Sequence, residues 1–282
     1  MSQERKVVIS VIVPAYNAAA TILQTLESIA AQTFKHWECI IVDDGSQDDT
    51  LKVAGAFIKD DSRFKLHSIK NSGVCTARNT AVAYSKGKYL FPLDSDDYIH
   101  PECLEKCYQV FEQRPETRLV YTEGELFGAL TGLWNLPEYS YKTMLRYNMV
   151  DNSSLFLRED FDRVGGYRLN MVNGLEDWDF WIGVLAPYED HQVVKIKDPL
   201  FYYRTSDMSR RSTVEATGQF SAMVDNIIYN NYQVYQKHYP DIFNRVLSYD
   251  FHTSMLGKKP VQMVVKGMIF LSKLKHKLFK PL

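Results

Sequence analysis

The amino-acid sequence predicts an α/β protein: an open, mostly parallel sheet with helices on both faces, followed by a helical extension at the C-terminus. Two observations lead to this prediction. Short apolar runs alternate with stretches of helical periodicity over the first part of the chain, and each apolar run ends in a polar turn. The 282 residues, 45% of them hydrophobic, suffice to bury a substantial core.

The first element is a nearly continuous apolar run from Val7 to Val13, closed by Pro14, which is typical of a strand buried on both faces. Later runs of this kind are separated by stretches with apolar residues at helical spacing. Because right-handed crossovers join parallel neighbours, these elements form successive βαβ units. In chain order, the predicted elements are a strand at 7–13, a helix at 18–31, a strand at 37–42, a helix at about 48–59, a strand at about 64–69, a helix at 74–86 and a strand at 89–93.

Beyond about residue 117 the regular alternation fades. Residues 118–210 are rich in Tyr, Trp, Asn and turn residues, with one predicted helix at 175–186. Residues 214–256 have helical, aromatic-rich character. We therefore predict an α/β domain over 1–212 and a C-terminal helical region over 213–282.

Each of the four predicted strands ends in a polar turn. In open α/β sheets the ligand sits beyond the carboxyl ends of the strands, so these turns are expected to meet on one edge. The turns are Pro14-Ala15-Tyr16-Asn17, Asp43-Asp44-Gly45-Ser46, Asn71-Ser72-Gly73 and Asp94-Ser95-Asp96-Asp97.

Composition excludes several function classes. The formal net charge of −1 gives no global field for nucleic-acid binding. The four cysteines form no CxxC pair and predict buried free thiols in a reducing compartment. The N-terminus lacks the pattern of a signal peptide, and no run of 18 apolar residues occurs, so we expect a cytoplasmic protein that does not span the membrane.

The most informative stretch is the acidic turn after the fourth strand. Asp94, Asp96 and Asp97 repel one another, and a divalent cation bridged to a diphosphate would explain why they are crowded together. The alternative is that these acids cap a helix that opens near Pro101. The sequence has neither a GxGxxG fingerprint nor a P-loop, which leaves Arg78 as the candidate cation for a diphosphate.

Five motifs occur in order along the chain: ISVIVPAYN, CIIVDDGSQDDT, NSGVCTARNTA, LDSDDYIHP and GLEDWDFW. Together, over roughly residues 7–210, they resemble the family 2 glycosyltransferases of the GT-A fold. The resemblance implies a nucleotide-sugar-binding half over 1–100 and an acceptor-binding half over 101–212. It also implies Mn²⁺ or Mg²⁺ as cofactor and a nucleotide-sugar donor, with uracil the expected base.

The resemblance assigns roles to individual residues. Asp43 would accept a hydrogen bond from the base, and Asp96, with Asp94, would bind the metal, Asp97 being a further carboxylate beside them. Arg78 would support the diphosphate. The implied nucleotide-sugar site comprises Pro14, Ala15, Tyr16, Asn17, Asp43, Asp44, Ser46, Asn71, Gly73, Arg78, Asp94, Ser95 and Asp96.

Glu176-Asp177-Trp178 resembles the ED motif of the family, which implies Asp177 as the catalytic base and an acceptor-side role for Glu176 and Trp178. A carboxylate can take the proton of the attacking hydroxyl, and one base with one metal suits a single, inverting displacement. The structural alternative is a helix N-terminus whose dipole favours acids. Where the family often has a histidine, this chain has Ser206, so Arg204, Arg210 and Arg211 are candidates to neutralise the diphosphate.

Other function classes stay open at this point. A haloacid-dehalogenase-like phosphatase also uses a DxD, but after its first strand, and a nucleotidyltransferase would carry a Gly-rich, basic first loop. A catalytically inactive nucleotide-sugar-binding module is the remaining alternative.

The acceptor implied by the resemblance is a glycan or a lipid-linked glycan in cell-surface polysaccharide synthesis. Four aromatic residues within 124–174 are candidates to stack on its sugars: Trp134, Tyr139, Tyr141 and Tyr167.

The last 25 residues, 258–282, hold seven lysines and no acid. On a helix from Val261, the apolar residues fall near one face, as in helices that lie in the lipid headgroup region. Packing of this helix on the catalytic domain is the alternative. The family resemblance favours the membrane, so we expect peripheral attachment to the inner face of the cytoplasmic membrane.

Overall fold

A computed structural model describes residues 7–172, 174–206 and 219–240. The chain divides into two compact units. Of the described residues, the first unit contains 7–172 and 176–206, and the second contains 174–175 and 219–240. The predicted boundary between 212 and 213 stays a prediction.

The strands of the first unit are β1 Ile9–Ala15, β2 Trp37–Asp43, β3 Phe64–Ser68, β4 Tyr89–Pro92, β5 Tyr98–Ile99, β6 Leu119–Gly128, β7 Gly132–Trp134, β8 Leu155–Leu157 and β9 Val193–Thr205. Its α-helices are α1 Ile22–Ala30, α2 Thr50–Ile58, α3 Val74–Tyr84, α4 Cys103–Gln113, α5 Tyr141–Met144, α6 Arg158–Val164 and α7 Glu176–Leu185, with a short 3₁₀ helix at Asp190–Gln192.

Strands β3, β2, β1 and β4 lie side by side and parallel, as the sequence predicts. The apolar runs of β1, β2 and β4 are buried because these strands occupy the interior of the sheet; Val11, Ile41 and Phe91 are fully buried. Strand β3 lies at the edge and is buried only at Phe64. This arrangement confirms the predicted order of four parallel strands joined by three helices, and it brings the carboxyl ends of the four strands to one edge.

The second half of the sheet is mixed. Strand β8 pairs antiparallel with β4 and with β6, and β6 then pairs parallel with β9, whose far side pairs with β5. Strand β7 pairs with the outer part of β6. The described strands thus form one nine-stranded sheet, consistent with the predicted α/β class, although the sequence indicated none of the strands β5 to β9.

The second unit contains α8, Gln219–Asn230, and α9, Tyr232–His238, within the region predicted to be helical. No helix in the described ranges is long and apolar enough to cross a membrane. The tail helix predicted from Val261 lies outside the described residues. In the first unit, Cys39, Cys75, Cys103 and Cys107 are buried and form no disulfide bond, which confirms the predicted free thiols.

Candidate functional site

The turns after β1 and β2 are tied together by hydrogen bonds. Asn17 donates its backbone N–H to Ser46 Oγ at 2.9 Å, and its Oδ1 accepts the backbone N–H of Gln47 at 2.8 Å. Asn17 adopts a φ of 48°, a left-handed conformation that asparagine tolerates better than most residues. Pro14 and Ala15 are buried at the end of β1, whereas the adjacent Tyr16 is 45% exposed, so the turn presents an aromatic ring to solvent.

Asp44 ties the turn after β3 to the turn after β2. Its two carboxylate oxygens accept the backbone N–H groups of Ser72 at 2.7 Å and Gly73 at 2.8 Å. At Gly45, a Cβ would lie 2.8 Å from the backbone nitrogen of Asn71, and φ is +72°, so only glycine fits there without strain. Three of the four predicted turns therefore form one hydrogen-bonded frame.

Asp43 offers a buried acceptor inside this frame. Its Oδ2 accepts from Ser46 N and Ser68 Oγ, both at 3.2 Å. Its Oδ1 is buried and has no hydrogen-bond partner among the described residues. A buried carboxylate oxygen without a donor costs free energy, which a ligand N–H would recover.

The acidic turn after β4 presents its three carboxylates differently. Asp96 is exposed and Asp94 and Ser95 are half-buried, whereas Asp97 is buried and accepts the backbone N–H of Arg204 at 2.7 Å. Burial, followed by the charges of Asp96 and Asp94, raises the pKa of Asp97. The turn does not cap α4, because the N-cap position of that helix is Glu102. The helix-capping alternative for the three acids is therefore wrong.

Arg78 on α3 joins this acidic turn to the start of α7. The buried guanidinium donates through Nη2 to Asp94 Oδ1 at 2.6 Å and through Nη1 to Glu176 Oε1 at 2.9 Å. It also lies over the ring of Tyr167, 5.2 Å from the centroid. Its expected contact with a diphosphate stays a prediction.

Asp177 lies half-buried in the first turn of α7. Its Oδ2 accepts from Asn148 Nδ2 at 2.8 Å, and its Oδ1 accepts the backbone N–H of Trp178 at 2.8 Å. Burial, reinforced by the charge of Glu176, raises the pKa of Asp177 to about 6. A carboxylate with this pKa is both largely ionised at neutral pH and able to accept a proton.

The structure adds Asp151, which the sequence analysis did not single out. This half-buried residue precedes β8, and its Oδ1 accepts the backbone N–H of Ser153 at 2.7 Å. Burial, together with the charges of Asp177 and Asp94, raises the pKa of Asp151 to about 7. No local motif marks Asp151, so only the fold reveals its proximity to the other carboxylates.

Two of the candidate stacking aromatics belong to the core. Tyr167 is buried and stacks on Phe180, with ring centroids 4.2 Å apart, and Tyr141 is buried with its hydroxyl donating to Ile182 O at 2.9 Å. Trp178 is likewise buried and donates Nε1–H to Met144 O at 2.7 Å. These three rings therefore belong to the core, and their expected role at an acceptor stays a prediction.

Comparison with known proteins identifies the family. The sequence profile described as Glycosyl transferase family 2 matches residues 10–177, more than half of the chain. The chain belongs to glycosyl transferase family 2. The match contains all four polar turns and ends at Asp177, so the resemblance stated from the five motifs is confirmed.

Relatives of this family 2 chain include synthases of bacterial polysaccharides. It is 31% identical over 186 residues to a chondroitin synthase of Escherichia coli, covering 64% of this chain and 26% of that protein. It is 34% identical over 192 residues to the Escherichia coli enzyme UDP-Glc:alpha-D-GlcNAc-diphosphoundecaprenol beta-1,3-glucosyltransferase WfaP, covering 63% of this chain and 70% of WfaP. The chain therefore spans about a quarter of the chondroitin synthase and most of WfaP.

The fold is shared with a solved glycosyltransferase. The mannosyltransferase PcManGT from Pyrobaculum calidifontis, in complex with GDP-Man and Mn²⁺, is 16% identical, with a TM-score of 0.61, and the match covers 98% of this chain and 82% of that one. The predicted GT-A fold is thus confirmed, with the family 2 motifs on its sheet edge.

The donor atoms of the family 2 chain fit a hard divalent cation. Among the described residues, no group of three or more His, Cys, Asp or Glu side chains is arranged to hold a metal ion. One or two carboxylates are what Mg²⁺ or Mn²⁺ commonly takes from a protein when phosphate oxygens and waters complete the shell. Asp96 and Asp94 provide such a set. Ser206, at the position where the resemblance led us to expect a histidine, is exposed, and Arg210 and Arg211 lie outside the described residues.

Proposed function

We propose that this chain transfers a sugar from a nucleoside diphosphate donor, with UDP the expected nucleotide, to a glycan or lipid-linked glycan acceptor, inverting the anomeric centre. The observation that carries the proposal is the link from Asp94 through Arg78 to Glu176, next to Asp177. This link joins the carboxylates expected at the metal to the expected base, on an edge where the polar turns for a nucleotide meet.

The frame of the first three turns is suited to a nucleoside. The unpartnered Oδ1 of Asp43 can accept an N–H of a pyrimidine base, and the exposed ring of Tyr16 can stack on it. Support for UDP comes from WfaP, whose name specifies UDP-Glc. PcManGT, which binds GDP-Man, makes a guanosine donor the first alternative to test.

Asp96 and Asp94 would bind Mn²⁺ or Mg²⁺. Bound there, the ion would neutralise the charge that develops on the departing diphosphate, so no protein acid is needed at the leaving group. Arg204 supports the turn, because its Nε donates to Asp96 O at 2.8 Å while its backbone N–H binds Asp97.

Asp177 acts as the base. The hydroxyl of the acceptor gives its proton to an Asp177 oxygen as it attacks the anomeric carbon from the face opposite the diphosphate. A single displacement of this kind inverts the configuration. Glu176 stays paired with Arg78, so it is already committed to a cation and leaves the proton transfer to Asp177.

For the acceptor, a lipid-linked glycan is the favoured class. WfaP is named for an acceptor on a diphosphoundecaprenol carrier, and the chondroitin synthase extends a polysaccharide. The basic C-terminal segment, with seven lysines in residues 258–282, would bring the enzyme to the cytoplasmic face of a membrane that holds such an acceptor.

The test is a thermal-shift screen of UDP-glucose, UDP-GlcNAc and GDP-mannose, each with and without Mn²⁺, followed by an assay of nucleotide release on lipid-linked glycan acceptors. We expect one donor to raise the unfolding temperature in a metal-dependent way and to be consumed when acceptor is present. Binding without any turnover over all acceptors would instead indicate the inactive binding module.

A further inference from the structure

Helix α5, from which the segment leading to β8 departs, is fastened to α7 at two points. Trp178 donates Nε1–H to Met144 O at 2.7 Å, and the hydroxyl of Tyr141 donates to Ile182 O at 2.9 Å. Both contacts are buried, so the backbone that leaves α5 has a fixed position against the first turns of α7. The side chains that follow Met144 therefore meet the start of α7 in a defined way.

Asn148 is the side chain of this segment that reaches Asp177. Its Nδ2 donates to Asp177 Oδ2 at 2.8 Å. The orientation of the amide is set by its other end, because Oδ1 accepts the backbone N–H of Val150 at 3.4 Å. The amide nitrogen consequently points to the carboxylate.

Both oxygens of the Asp177 carboxylate are thus engaged by nitrogen donors: Oδ2 by Asn148, and Oδ1 by the backbone of Trp178 at 2.8 Å. The backbone contact alone would let the carboxylate turn about its Cβ–Cγ bond, whereas the second donor fixes its plane. Each oxygen keeps a further lone pair. A base whose remaining lone pairs are held in one direction is better aligned with an incoming hydroxyl.

We propose that Asn148 is the positioning residue for the Asp177 base: it fixes the plane of the carboxylate and favours its charged form. This inference rests on the proposed function, in which Asp177 accepts the proton of the acceptor. A hydrogen bond donated to a carboxylate stabilises the ionised state relative to the neutral one.

The charged form of Asp177 needs this support because its surroundings are mostly negative. Burial disfavours the charge on Asp177 most strongly, and the negative charges of Glu176, Asp94 and Asp151 add to this effect. Arg78 is the cation that opposes them. Loss of the Asn148 donor would therefore move Asp177 toward its protonated form, which cannot act as a base.

The first test needs no substrate. Protein labelled with ¹³C at the aspartate carboxyl carbons is titrated by NMR, and the Asp177 signal is assigned by its loss in Asp177→Asn. In Asn148→Ala we expect the titration midpoint of Asp177 to rise by about one pH unit, since a hydrogen bond to a charged group is worth on the order of one pKa unit. Asn148→Gln, which keeps an amide, should restore part of the difference.

Tyr147→Ala is the matched control, because Tyr147 is 50% exposed and adjacent in the chain. It should leave the midpoint unchanged, and thermal unfolding checks that each variant folds; Asn148→Ser replaces the alanine variant if that one does not. An unchanged Asp177 midpoint in folded variants without the amide would overturn the inference.

The second test separates this inference from the proposed function. With a donor and acceptor found in the screen, the acidic limb of the rate profile should move to higher pH in Asn148→Ala by the same amount as the NMR midpoint. If Asp177→Asn keeps full transfer, the proposed base is wrong. If Asp177→Asn is inactive while Asn148→Ala has the wild-type profile, the base stands and the role of Asn148 is refuted.

Discussion

The guanidinium of Arg78 lies 2.6 Å from the carboxylate of Asp94, and its other terminal nitrogen binds Glu176, 98 residues further along the chain. Arg78 is buried, Glu176 is nearly so, and Asp94 is partly open to solvent. One side chain therefore sets the separation between the acidic turn and the first turn of α7. Its removal is expected to affect stability as well as function.

We predict that Arg78→Met lowers the free energy of unfolding by about 3 kcal/mol, because it leaves a buried carboxylate without its cation; the solvent exposure of Asp94 moderates the loss. Urea denaturation measures the effect. The double variant Arg78→Met/Glu176→Gln should be more stable than Arg78→Met alone. Equal stability of the single variant and wild type would mean that the bridge contributes nothing to the folded state.

The second prediction concerns the metal. UDP should bind more tightly in the presence of Mn²⁺ or Mg²⁺, and Asp96→Asn should abolish this enhancement while UDP alone binds as before. Asp60→Asn, at another exposed aspartate outside the site, is the matched control and should keep the enhancement. Isothermal titration calorimetry gives both affinities. Metal-independent binding of equal strength in all three proteins would contradict the prediction.

The third prediction separates binding from chemistry. Asp177→Asn should leave donor affinity nearly unchanged while transfer falls by about 10²-fold or more, because the amide cannot accept the proton. In the wild type the rate should rise with pH through about 6, where Asp177 ionises. Transfer measured between pH 5 and pH 8 checks this dependence. An unchanged rate in the variant would mean that Asp177 is not the base, and Asp151 would then be the next candidate.

The fourth prediction follows from the same pKa and concerns stability. The pKa of Asp177 is raised in the folded state to about 6 from an ordinary value of 3.8, so the folded protein binds this proton more tightly than the unfolded chain. The negative charge of Asp177 therefore lowers the free energy of unfolding. The loss grows as the pH rises from about 4 to 6 and is complete above 6. Asp177→Asn should gain stability over the wild type across that window. Thermal unfolding at pH 4, 5, 6 and 8 tests it, and a gain that is equal at all four values would refute the assignment.

The fifth prediction concerns membrane attachment. The full chain should co-sediment with liposomes that contain phosphatidylglycerol, and high salt should weaken the association, because each lysine near the surface contributes about 1 kcal/mol of electrostatic attraction. Deletion of residues 257–282 should release the protein while UDP binding stays intact. If both forms pellet equally, the basic tail has another role.

Strands β1, β2 and β4 could be predicted because each is a mostly apolar run, the signature of a strand covered on both faces. Strand β3, at the edge of the sheet, is buried only at Phe64. Strands β6 and β9 escaped prediction because charged residues interrupt their apolar pattern. Lys195 of β9 pairs with Glu123 of β6 at 2.8 Å, so the sheet neutralises charges that look like loop residues in the sequence. Such cross-strand pairing depends on register, which local pattern does not contain.

The residues of the candidate site likewise include some that the sequence predicted and some that it did not. Asp43, Asp94 and Asp177 stand in motifs with a recognisable order. Asp43 and Asp94 lie at the carboxyl ends of parallel strands, and Arg78 connects Asp94 to Glu176, next to Asp177. Asn148 and Asp151 come from an irregular stretch between α5 and β8. The hydrogen bonds of Trp178 and Tyr141 that fasten α5 to α7 bring Asn148 to the start of α7, and contacts of this kind have no local sequence signature.

The hydrogen-bonded frame around Asp44 limits how the donor preference of this enzyme could be re-engineered. A side chain at position 45 would collide with the backbone of Asn71, and the carboxylate of Asp44 has both oxygens occupied by Ser72 and Gly73. Randomising these positions would mostly yield misfolded clones. Tyr16 projects into solvent from the same edge, and under the proposed function its ring stacks on the base, so a focused library at that position would test new base specificities while leaving this frame intact.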